Sequence, residues 1–290
     1  MKKFLFGIVL AMTLVFTSAC GNNAEDDAFT IGVIPAQTKG SMEDAMNKLQ
    51  EELSEGLERT VKVEIYPDYN GVVEAMNYDK IDMAYFGPLT YVVANHESGA
   101  KAIITQLVDG EPYYYSYMIT HIDQPWDSLD EMIKDSGQIE FAFGDINSTS
   151  GSLIPGIELE NRGVFQSEEE HEFKSVRYTG SHDATAIAVQ NQGVDVGAID
   201  SAIFDELVAD GDIDGEQIKV IWKSDKLFQY PWAVHSETPK ETIEQLQEIF
   251  LNIEDEDILG AFGASGFTTA TDNDYEAIKQ AAVKQGIIKE

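Results

Sequence analysis

The sequence predicts an α/β protein with mostly parallel sheets, divided into two lobes with a cleft between them. From residue 29 onward, short apolar runs alternate with amphipathic segments, a pattern typical of strands that alternate with helices. Hydrophobic residues make up 43 % of the chain, which is ordinary for a globular protein and argues against disorder. About 270 residues follow the N-terminal leader, which is enough to build two lobes.

Residues 1–19 have the features of an export signal. Two lysines precede the apolar run "FLFGIVLAMTLVF", and small residues lead up to Cys20. This cysteine is the only one in the chain, and the polar stretch "GNNAEDDA" follows it. The placement resembles a bacterial lipoprotein processing site, which predicts a lipid on Cys20, a tether over 20–28 and a location on the outer face of the cytoplasmic membrane. Ordinary signal cleavage is the alternative, because Thr17 stands where such sites usually carry leucine.

The chain is strongly acidic, with 52 Asp and Glu against 19 Lys and Arg and a formal net charge of −33. Such a charge argues against nucleic acid as a partner and favours a soluble monomer. With Cys20 modified, no cysteine is left for a disulfide or a metal thiolate.

The first half of the chain beyond the leader predicts strands and helices in turn. Apolar and β-branched runs predict the strands "FTIGVIP", "TVKVEIYP", "KIDMAYF", "AKAIITQLV" and "YYYSYMIT". The segment 41–55 is predicted to be a helix because one face of it is apolar, with Met42, Ala45, Met46, Leu49 and Leu53. Shorter helices are predicted at "GVVEAMNY" and at "GPLTYVVANH", where Pro88 falls in the first turn.

The second half continues the alternation. The predicted strands are "IEFAFGD", "EFKSVRYTG", "VDVGAID", "KVIWKS" and "WAVHS". The predicted helices are "SGSLIPGIELENRG", despite Pro155, then "HDATAIAVQNQG" and two polar segments around 239–253 and 273–287. The resulting division places 29–117 and 228–290 in lobe 1 and 118–227 in lobe 2, with a ligand cleft between the lobes.

No catalytic or metal-binding motif is present in the sequence. A Gly-rich phosphate loop ending in lysine, His-Glu-x-x-His and Gly-x-Ser-x-Gly are all absent, and the five histidines lack metal-ligand spacing. The sequence therefore predicts a binding protein without a cofactor rather than an enzyme.

Three consecutive hydroxyl residues stand in the segment "GDINSTSGSLIPG", between a predicted strand and a predicted helix. Ser148, Thr149 and Ser150 would add donors to the unpaired N–H groups of a helix N-terminus, which is a site for a small oxyanion. A helix cap with spare serines is the alternative.

Two further segments offer donors to the same anion. "GSHDA" places His182 at another strand-to-helix turn, and "YPDYNG" places Tyr69 just before a helix. "GEPYYYSY" adds four tyrosines in a strand, and a phenolic O–H facing a cleft is a good neutral donor to an oxyanion. A solvated histidine and ordinary β tyrosines are the alternatives.

These segments together resemble the solute-binding proteins of ABC importers for phosphonate, phosphite and phosphate. The resemblance runs from "IGVIPAQ" through "PDYNGVVEAM", "KIDMAYFGPLTY", "GEPYYYSY" and "GDINSTSGSLIPG" to "TGSHDATAIAVQNQGVDVGAID" and "VIWKS". It implies a two-lobed, Venus-flytrap fold of the periplasmic binding protein type II that closes on one anion and delivers it to a permease. It also implies that the phosphorus oxygens are held by Tyr69, Tyr114, Ser148, Thr149, Ser150 and His182.

The sequence departs from one branch of this family. Members that bind 2-aminoethylphosphonate carry two acidic residues for the ammonium group, and Ala202 and Tyr230 occupy the matching positions here. The resemblance therefore implies a smaller ligand, namely phosphite, methylphosphonate or phosphate. Asp200 could accept a hydrogen bond from a protonated ligand oxygen, because a carboxylate beside an anion needs such a proton. An exposed strand-end aspartate is the alternative.

Two other functions stay open on the sequence alone. A protein of the same fold could bind a sulfonate or an amino acid. A ligand with a carboxylate group would be favoured if Arg177 faced the cleft. A surface hydrolase would need a nucleophile and a base, and its only candidate set is Ser148 or Ser150 with His182 and Asp200.

Overall fold

The structure, a computed structural model, describes residues 28–289. The predicted export signal and Cys20 lie outside these residues, so both stay predictions. Within 28–289, none of the helices combines the length and the apolar character needed to cross a bilayer.

Short strands and amphipathic helices alternate along the described chain, as the sequence predicts. The strands are β1 Phe29–Val33, β2 Val61–Ile65, β3 Met83–Tyr85, β4 Lys101–Leu107, β5 Tyr113–Tyr114, β6 Ser116–His121, β7 Glu140–Phe143, β8 Ser175–Tyr178, β9 Val196–Asp200, β10 Ile218–Lys223, β11 Leu227–Phe228, β12 Pro231–Val234 and β13 Gly266–Thr269. The α-helices are α1 Lys39–Gly56, α2 Tyr69–Asn77, α3 Pro88–Ser98, α4 Leu129–Met132, α5 Ile154–Asn161, α6 His182–Gln190, α7 Ser201–Asp210, α8 Lys240–Leu251, α9 Glu256–Gly260 and α10 Glu276–Lys284.

Two sheets organise the molecule into two lobes. A six-stranded sheet has the order β13-β4-β12-β3-β1-β2, and a five-stranded sheet has the order β10-β6-β9-β7-β8. We call the first sheet with α1–α3 and α8–α10 the six-stranded lobe, and the second sheet with α4–α7 the five-stranded lobe. The residue limits predicted for the lobes, 29–117 with 228–290 and 118–227, stay a prediction.

The prediction of mostly parallel sheets is wrong in detail, because both sheets are mixed. Parallel pairs join β1 to β2 and β3, and join β7 to β8 and β9. The pairs formed by β12, β4 and β13, and by β6, β9 and β10, are antiparallel. The antiparallel strands include those that enter each sheet from a different part of the chain, so local alternation of strand and helix does not fix their direction.

The chain passes between the lobes next to a small antiparallel ribbon formed by β5 and β11. The tyrosine-rich segment, predicted as one strand, is divided here: β5 ends at Tyr114, and β6 begins at Ser116 in the five-stranded sheet. Hydrogen bonds between Ser116 and Ser224 tie the two crossing segments together beside this ribbon. The crossing therefore leaves Tyr114 buried close to the interface between the lobes.

Each lobe has its own aromatic packing. In the six-stranded lobe, Trp232 is fully buried with ring centroids 4.9 Å from Tyr85, 4.9 Å from Phe250 and 5.3 Å from Phe262. In the five-stranded lobe, Phe141 packs on Phe143 at 4.7 Å and on Phe173 at 5.1 Å. Each sheet is therefore packed against its own aromatic cluster.

Helix α6 lies unusually close to β9, because Gly197 has no side chain. A Cβ atom at this position would lie 2.6 Å from Thr185 Cγ2 and 2.9 Å from Val189 Cγ2. The close approach sets the position of the first residue of α6, His182, relative to the last residue of β9, Asp200.

We expect Gly197→Ala to lower the free energy of unfolding by about 1–3 kcal/mol, because the added methyl group forces α6 away from β9. Urea denaturation followed by circular dichroism measures the change. Gly260→Ala is the matched control, since a Cβ atom there would meet no atom within 4 Å. Equal stability of the two variants would contradict the tight packing of α6 on β9.

Candidate anion-binding site

The residues predicted to bind the ligand all lie buried where the lobes meet. They come from the start of α2, from β5, from the turn after β7, from the start of α6 and from the end of β9. Each of them is at most 1 % exposed: Tyr69, Tyr114, Ser148, Thr149, Ser150, His182 and Asp200. The alternatives of an exposed Asp200 and a solvated His182 are therefore wrong.

The hydroxyl-rich turn is wider than the first turn of an α-helix. The N–H of Leu153 donates to the carbonyl of Ser148 over 3.0 Å, which is a π-helical spacing. Pro155 stands in the first turn of the α-helix that follows, where its missing N–H costs nothing. Ser148 Oγ accepts from the N–H of Gly151 at 3.0 Å, so its own O–H is left to donate.

Gly151 allows this turn to approach the histidine. A Cβ atom on Gly151 would lie 2.9 Å from Ser148 Oγ and 3.2 Å from His182 Cε1. The neighbouring hydroxyl groups face in different directions: Thr149 Oγ1 accepts from the N–H of Leu89 at 2.8 Å, whereas Ser150 Oγ has no partner. Thr149 and Ser150 thus both keep an O–H that can donate.

The imidazole of His182 is held as one neutral tautomer. The N–H of Asp200 donates to His182 Nδ1 over 3.2 Å, so the ring proton resides on Nε2. His182 Nε2 lies 3.2 Å from Tyr230 Oη. Burial lowers the pKa of His182 to about 4, so the ring is uncharged near neutral pH and acts as an N–H donor.

The two carboxylate oxygens of Asp200 have different surroundings. Oδ1 caps α7 by accepting from the N–H groups of Ala202 at 2.7 Å and Ile203 at 3.2 Å. Oδ2 is buried without a partner. Burial raises the pKa of Asp200 to about 7, although the two N–H groups oppose this shift.

Two tyrosine hydroxyl groups complete the cluster. Tyr69 Oη and Tyr114 Oη are buried and have no hydrogen-bond partner. Burial raises the pKa of both phenols, and the nearby Asp200 carboxylate raises it further, so both stay protonated donors. The cluster thus combines neutral O–H and N–H donors with a single carboxylate oxygen as acceptor.

The three arginines of the chain all lie outside this cluster. Arg177 is exposed on β8 and donates to the carbonyl of Gly193 at 2.8 Å. Arg162 pairs with Glu158 and Asp130, and Arg59 lies over the ring of Phe29 at 5.5 Å. The site therefore offers no guanidinium to the carboxylate of an amino acid.

The geometry does not form the hydrolase arrangement considered from the sequence. His182 Nδ1 contacts the backbone N–H of Asp200 and not its carboxylate, and Nε2 faces Tyr230 instead of a serine. A serine nucleophile with a histidine base oriented by an acid is therefore not assembled among these residues.

A family model described as the phosphonate periplasmic substrate-binding protein of ABC transporters matches residues 31–275. The phosphate-import protein PhnD of Mycolicibacterium smegmatis is 31 % identical over 77 % of this chain and 71 % of its own length. The phosphonates-binding periplasmic protein of Escherichia coli is 26 % identical over 94 % of this chain and 83 % of its own. A solved structure from Pseudomonas aeruginosa, a binding protein component of an ABC phosphonate transporter, superposes with a TM-score of 0.81 at 26 % identity, covering 89 % of this chain and 86 % of that one.

The chain belongs to this phosphonate-binding family. Members of the family are extracytoplasmic substrate-binding proteins of ABC transporters and not enzymes, and their fold is the type II periplasmic binding protein. The fold and the family predicted from the sequence are thus confirmed.

The two positions at which the sequence is predicted to depart from the 2-aminoethylphosphonate branch lie together. Ala202 and Tyr230 line one cavity beside Asp200, with a volume of about 10 Å³, which is roughly the space of one water molecule. The sequence indicated Tyr230 only as a departure from a pattern, and its contact with His182 was missed. No local signal announces that contact, because the two residues are separated by 48 positions.

We expect His182 to remain neutral, with its proton on Nε2, down to about pH 5, because burial holds its pKa at about 4. Nitrogen-15 NMR of the imidazole across a pH series distinguishes the two neutral tautomers and the cation, and His182→Gln assigns the signal. A transition near the ordinary histidine pKa of about 6.5, or a proton on Nδ1, would contradict the buried donor.

Proposed function

We propose that this protein captures a small phosphorus oxyanion outside the cytoplasmic membrane and delivers it to an ABC permease. The favoured ligands are phosphite, methylphosphonate and phosphate, with 2-aminoethylphosphonate less favoured. Capture occurs by closure of the two lobes around the anion, without covalent chemistry. One observation carries the proposal: four buried polar atoms at the interface between the lobes have no partner in the protein, namely Tyr69 Oη, Tyr114 Oη, Ser150 Oγ and Asp200 Oδ2.

The number and kind of groups fit a tetrahedral oxyanion. Five hydroxyl donors are available, since Ser148 and Thr149 use only their acceptor lone pairs within the protein, and a sixth donor, the Nε2–H group of His182, would have to turn from Tyr230 Oη to the ligand. The proposed donors are Tyr69, Tyr114, Ser148, Thr149, Ser150 and His182. Asp200 Oδ2 is the acceptor, and it requires one ligand oxygen or the carboxyl group itself to carry a proton.

The size of the ligand follows from the wall of the cleft. Ala202 and Tyr230 leave a cavity of about 10 Å³ beside Asp200, which has no room for an aminoethyl group without rearrangement. Neither side chain carries the negative charge that an ammonium group would need. The related proteins from Mycolicibacterium smegmatis and Escherichia coli, whose names specify phosphate import and phosphonate binding, support the same ligand class.

We also propose that the protein is anchored as a lipoprotein through Cys20. Its support is the position of the only cysteine, directly after small residues at the end of an apolar leader and before a polar stretch. A lipid anchor at this point would keep the monomeric receptor near its permease.

Removal of one unpartnered donor tests the assignment of the site. We expect Ser150→Ala to weaken binding by about 10- to 100-fold, because it removes a hydrogen bond to a charged ligand. Calorimetric titration of residues 21–290 with phosphite, phosphate, methylphosphonate, 2-aminoethylphosphonate and sulfate gives the dissociation constants. Ser98→Ala is the matched control, since Ser98 Oγ donates to the carbonyl of Ala94 within α3.

The panel distinguishes the parts of the proposal. Binding of one small phosphorus anion at micromolar affinity or tighter, weakened only by Ser150→Ala, would support it. Tightest binding of 2-aminoethylphosphonate would show that Ala202 and Tyr230 do not set the ligand size. No binding across the panel would overturn the ligand class.

The proton shared by Asp200 and the ligand predicts a pH dependence. The pKa of Asp200 is raised to about 7, so this group holds a proton below that pH and loses it above. Once the carboxyl group and the ligand are both deprotonated, binding must take up a proton, and affinity should fall about tenfold per pH unit.

Asp200→Asn should remove this slope, because the amide needs no shared proton, while its oxygen can still cap α7. Calorimetry between about pH 6 and pH 10 measures the effect in both proteins. The affinity for sulfate should rise relative to that for phosphate in the variant. Sulfate carries no proton to share with Asp200, whereas the amide of the variant needs none. An unchanged slope in Asp200→Asn would exclude Asp200 as the acceptor.

A further inference from the structure

One short segment of the six-stranded lobe is bound by two consecutive residues of the five-stranded lobe. The segment 36–38 connects β1 to α1. The N–H of His182 donates to the carbonyl of Ala36 at 3.1 Å. The N–H of Thr38 donates to Asp183 Oδ2 at 3.1 Å, and Thr38 Oγ1 donates to the same oxygen.

Asp183 lies beside the N-terminus of α1. Thr38 is the N-cap residue, and the first turn contains no acidic residue. A helix N-terminus carries unpaired N–H groups and partial positive charge. Asp183 therefore supplies, from the opposite lobe, a negative charge beside the first turn of this 18-residue helix, where the helix has no acidic residue of its own.

The carboxylate is oriented within its own lobe before it meets the helix. Asp183 Oδ1 accepts from Ser181 Oγ, while Oδ2 is the atom that contacts Thr38. Burial would raise the pKa of Asp183, but the hydrogen bonds from Ser181 and Thr38 outweigh burial and lower it, so the group is ionised.

A second contact between the lobes follows the same pattern. The N-cap residue of helix α3 is Gly87, which has no side chain that could cap the helix. The N–H of Leu89 in its first turn donates to Thr149 Oγ1 at 2.8 Å. At the start of α1 and of α3, a backbone N–H thus donates to a side-chain oxygen of the opposite lobe. In α3 this oxygen belongs to a residue of the hydroxyl-rich turn.

We propose that Asp183 is a positioning residue for ligand capture: by binding Thr38 across the cleft, it favours the closed arrangement of the lobes and fixes His182 against the ligand. The inference rests on the proposed function for its role in capture, but the contact between the lobes does not depend on the identity of the ligand. Asp183 itself does not touch the anion in this assignment. It acts through the adjacent residue, whose own N–H binds Ala36.

The test compares Asp183→Ala and Asp183→Asn with Asp195→Ala in the chain from residue 21. Asp195 is the matched control, because it also accepts from a backbone N–H, that of Glu140 at 2.8 Å, but entirely within the five-stranded lobe. Stopped-flow fluorescence with methylphosphonate and with inorganic phosphate gives association and dissociation rates. Small-angle X-ray scattering of the ligand-free and the ligand-saturated proteins reports how compact they are.

We expect Asp183→Ala to raise the dissociation rate by about 10- to 100-fold with little change in the association rate, because the closed state loses charge-assisted hydrogen bonds. Asp183→Asn should recover part of the effect, since its amide oxygen can still accept from Thr38. Asp195→Ala should lower the free energy of unfolding and leave the dissociation rate unchanged.

Two results would overturn the proposal. One is an unchanged dissociation rate in Asp183→Ala, and the other is an equal increase in Asp195→Ala, which would indicate general destabilisation. If neither anion binds, the proposed ligand class fails, and scattering of the ligand-free proteins decides the role of Asp183. A compact form that is lost in Asp183→Ala would then support the role, and equal dimensions of wild type and variant would refute it.

Discussion

At the contact between the lobes, four polar atoms are shielded from water and receive no hydrogen bond from the protein: Tyr69 Oη, Tyr114 Oη, Ser150 Oγ and Asp200 Oδ2. Each such atom costs about 1–3 kcal/mol when it is left unpaired. Soluble proteins rarely accept several of these losses in one place. A bound oxyanion would offset them together, because its oxygens accept from the hydroxyl groups and its proton satisfies the carboxylate. The stability of the closed lobes and the occupancy of the site are therefore coupled in one equilibrium.

The same arrangement explains how a chain with a net charge of −33 can bind an anion. Screening limits the repulsion from the outer acidic residues to about 8 Å at physiological ionic strength. Inside the cleft, the proposed donors are uncharged phenols, hydroxyl groups and a neutral imidazole. Their effect is short-ranged and depends on the positions of the ligand oxygens, so recognition responds to shape and protonation instead of charge alone.

Most of the strands and helices, the hydroxyl-rich turn and the two-lobed fold could be predicted from the sequence, because periodicity and turn chemistry are local. Helix α7 was missed, although Asp200 before it and Gly211 after it are ordinary start and stop signals. Strand direction in the mixed sheets depends on pairing between distant segments, so it could not be obtained from local patterns.

At the level of single atoms, the sequence predicted which residues gather but not how they are held. The contact of His182 with Tyr230 joins segments far apart in the chain, and so do the hydrogen bonds of His182 to Ala36 and of Asp183 to Thr38. One oxygen of Asp200 caps a helix, and the other is buried without a partner. This difference likewise depends on burial that no motif encodes.

The contact between Asp200 and His182 has a consequence for how ligand preference can change during evolution. The imidazole proton is fixed by the backbone N–H of residue 200, whereas the side chain of that residue has a buried oxygen without a partner, which is the proposed acceptor for the ligand. Any amino acid other than proline supplies the same N–H. Mutations at this position can therefore alter the acceptor offered to the ligand while the histidine donor is inherited unchanged. In the proposed site, the group that selects the ligand and the group that orients the histidine donor would thus belong to one residue but be chemically separate, so a single substitution could change the ligand.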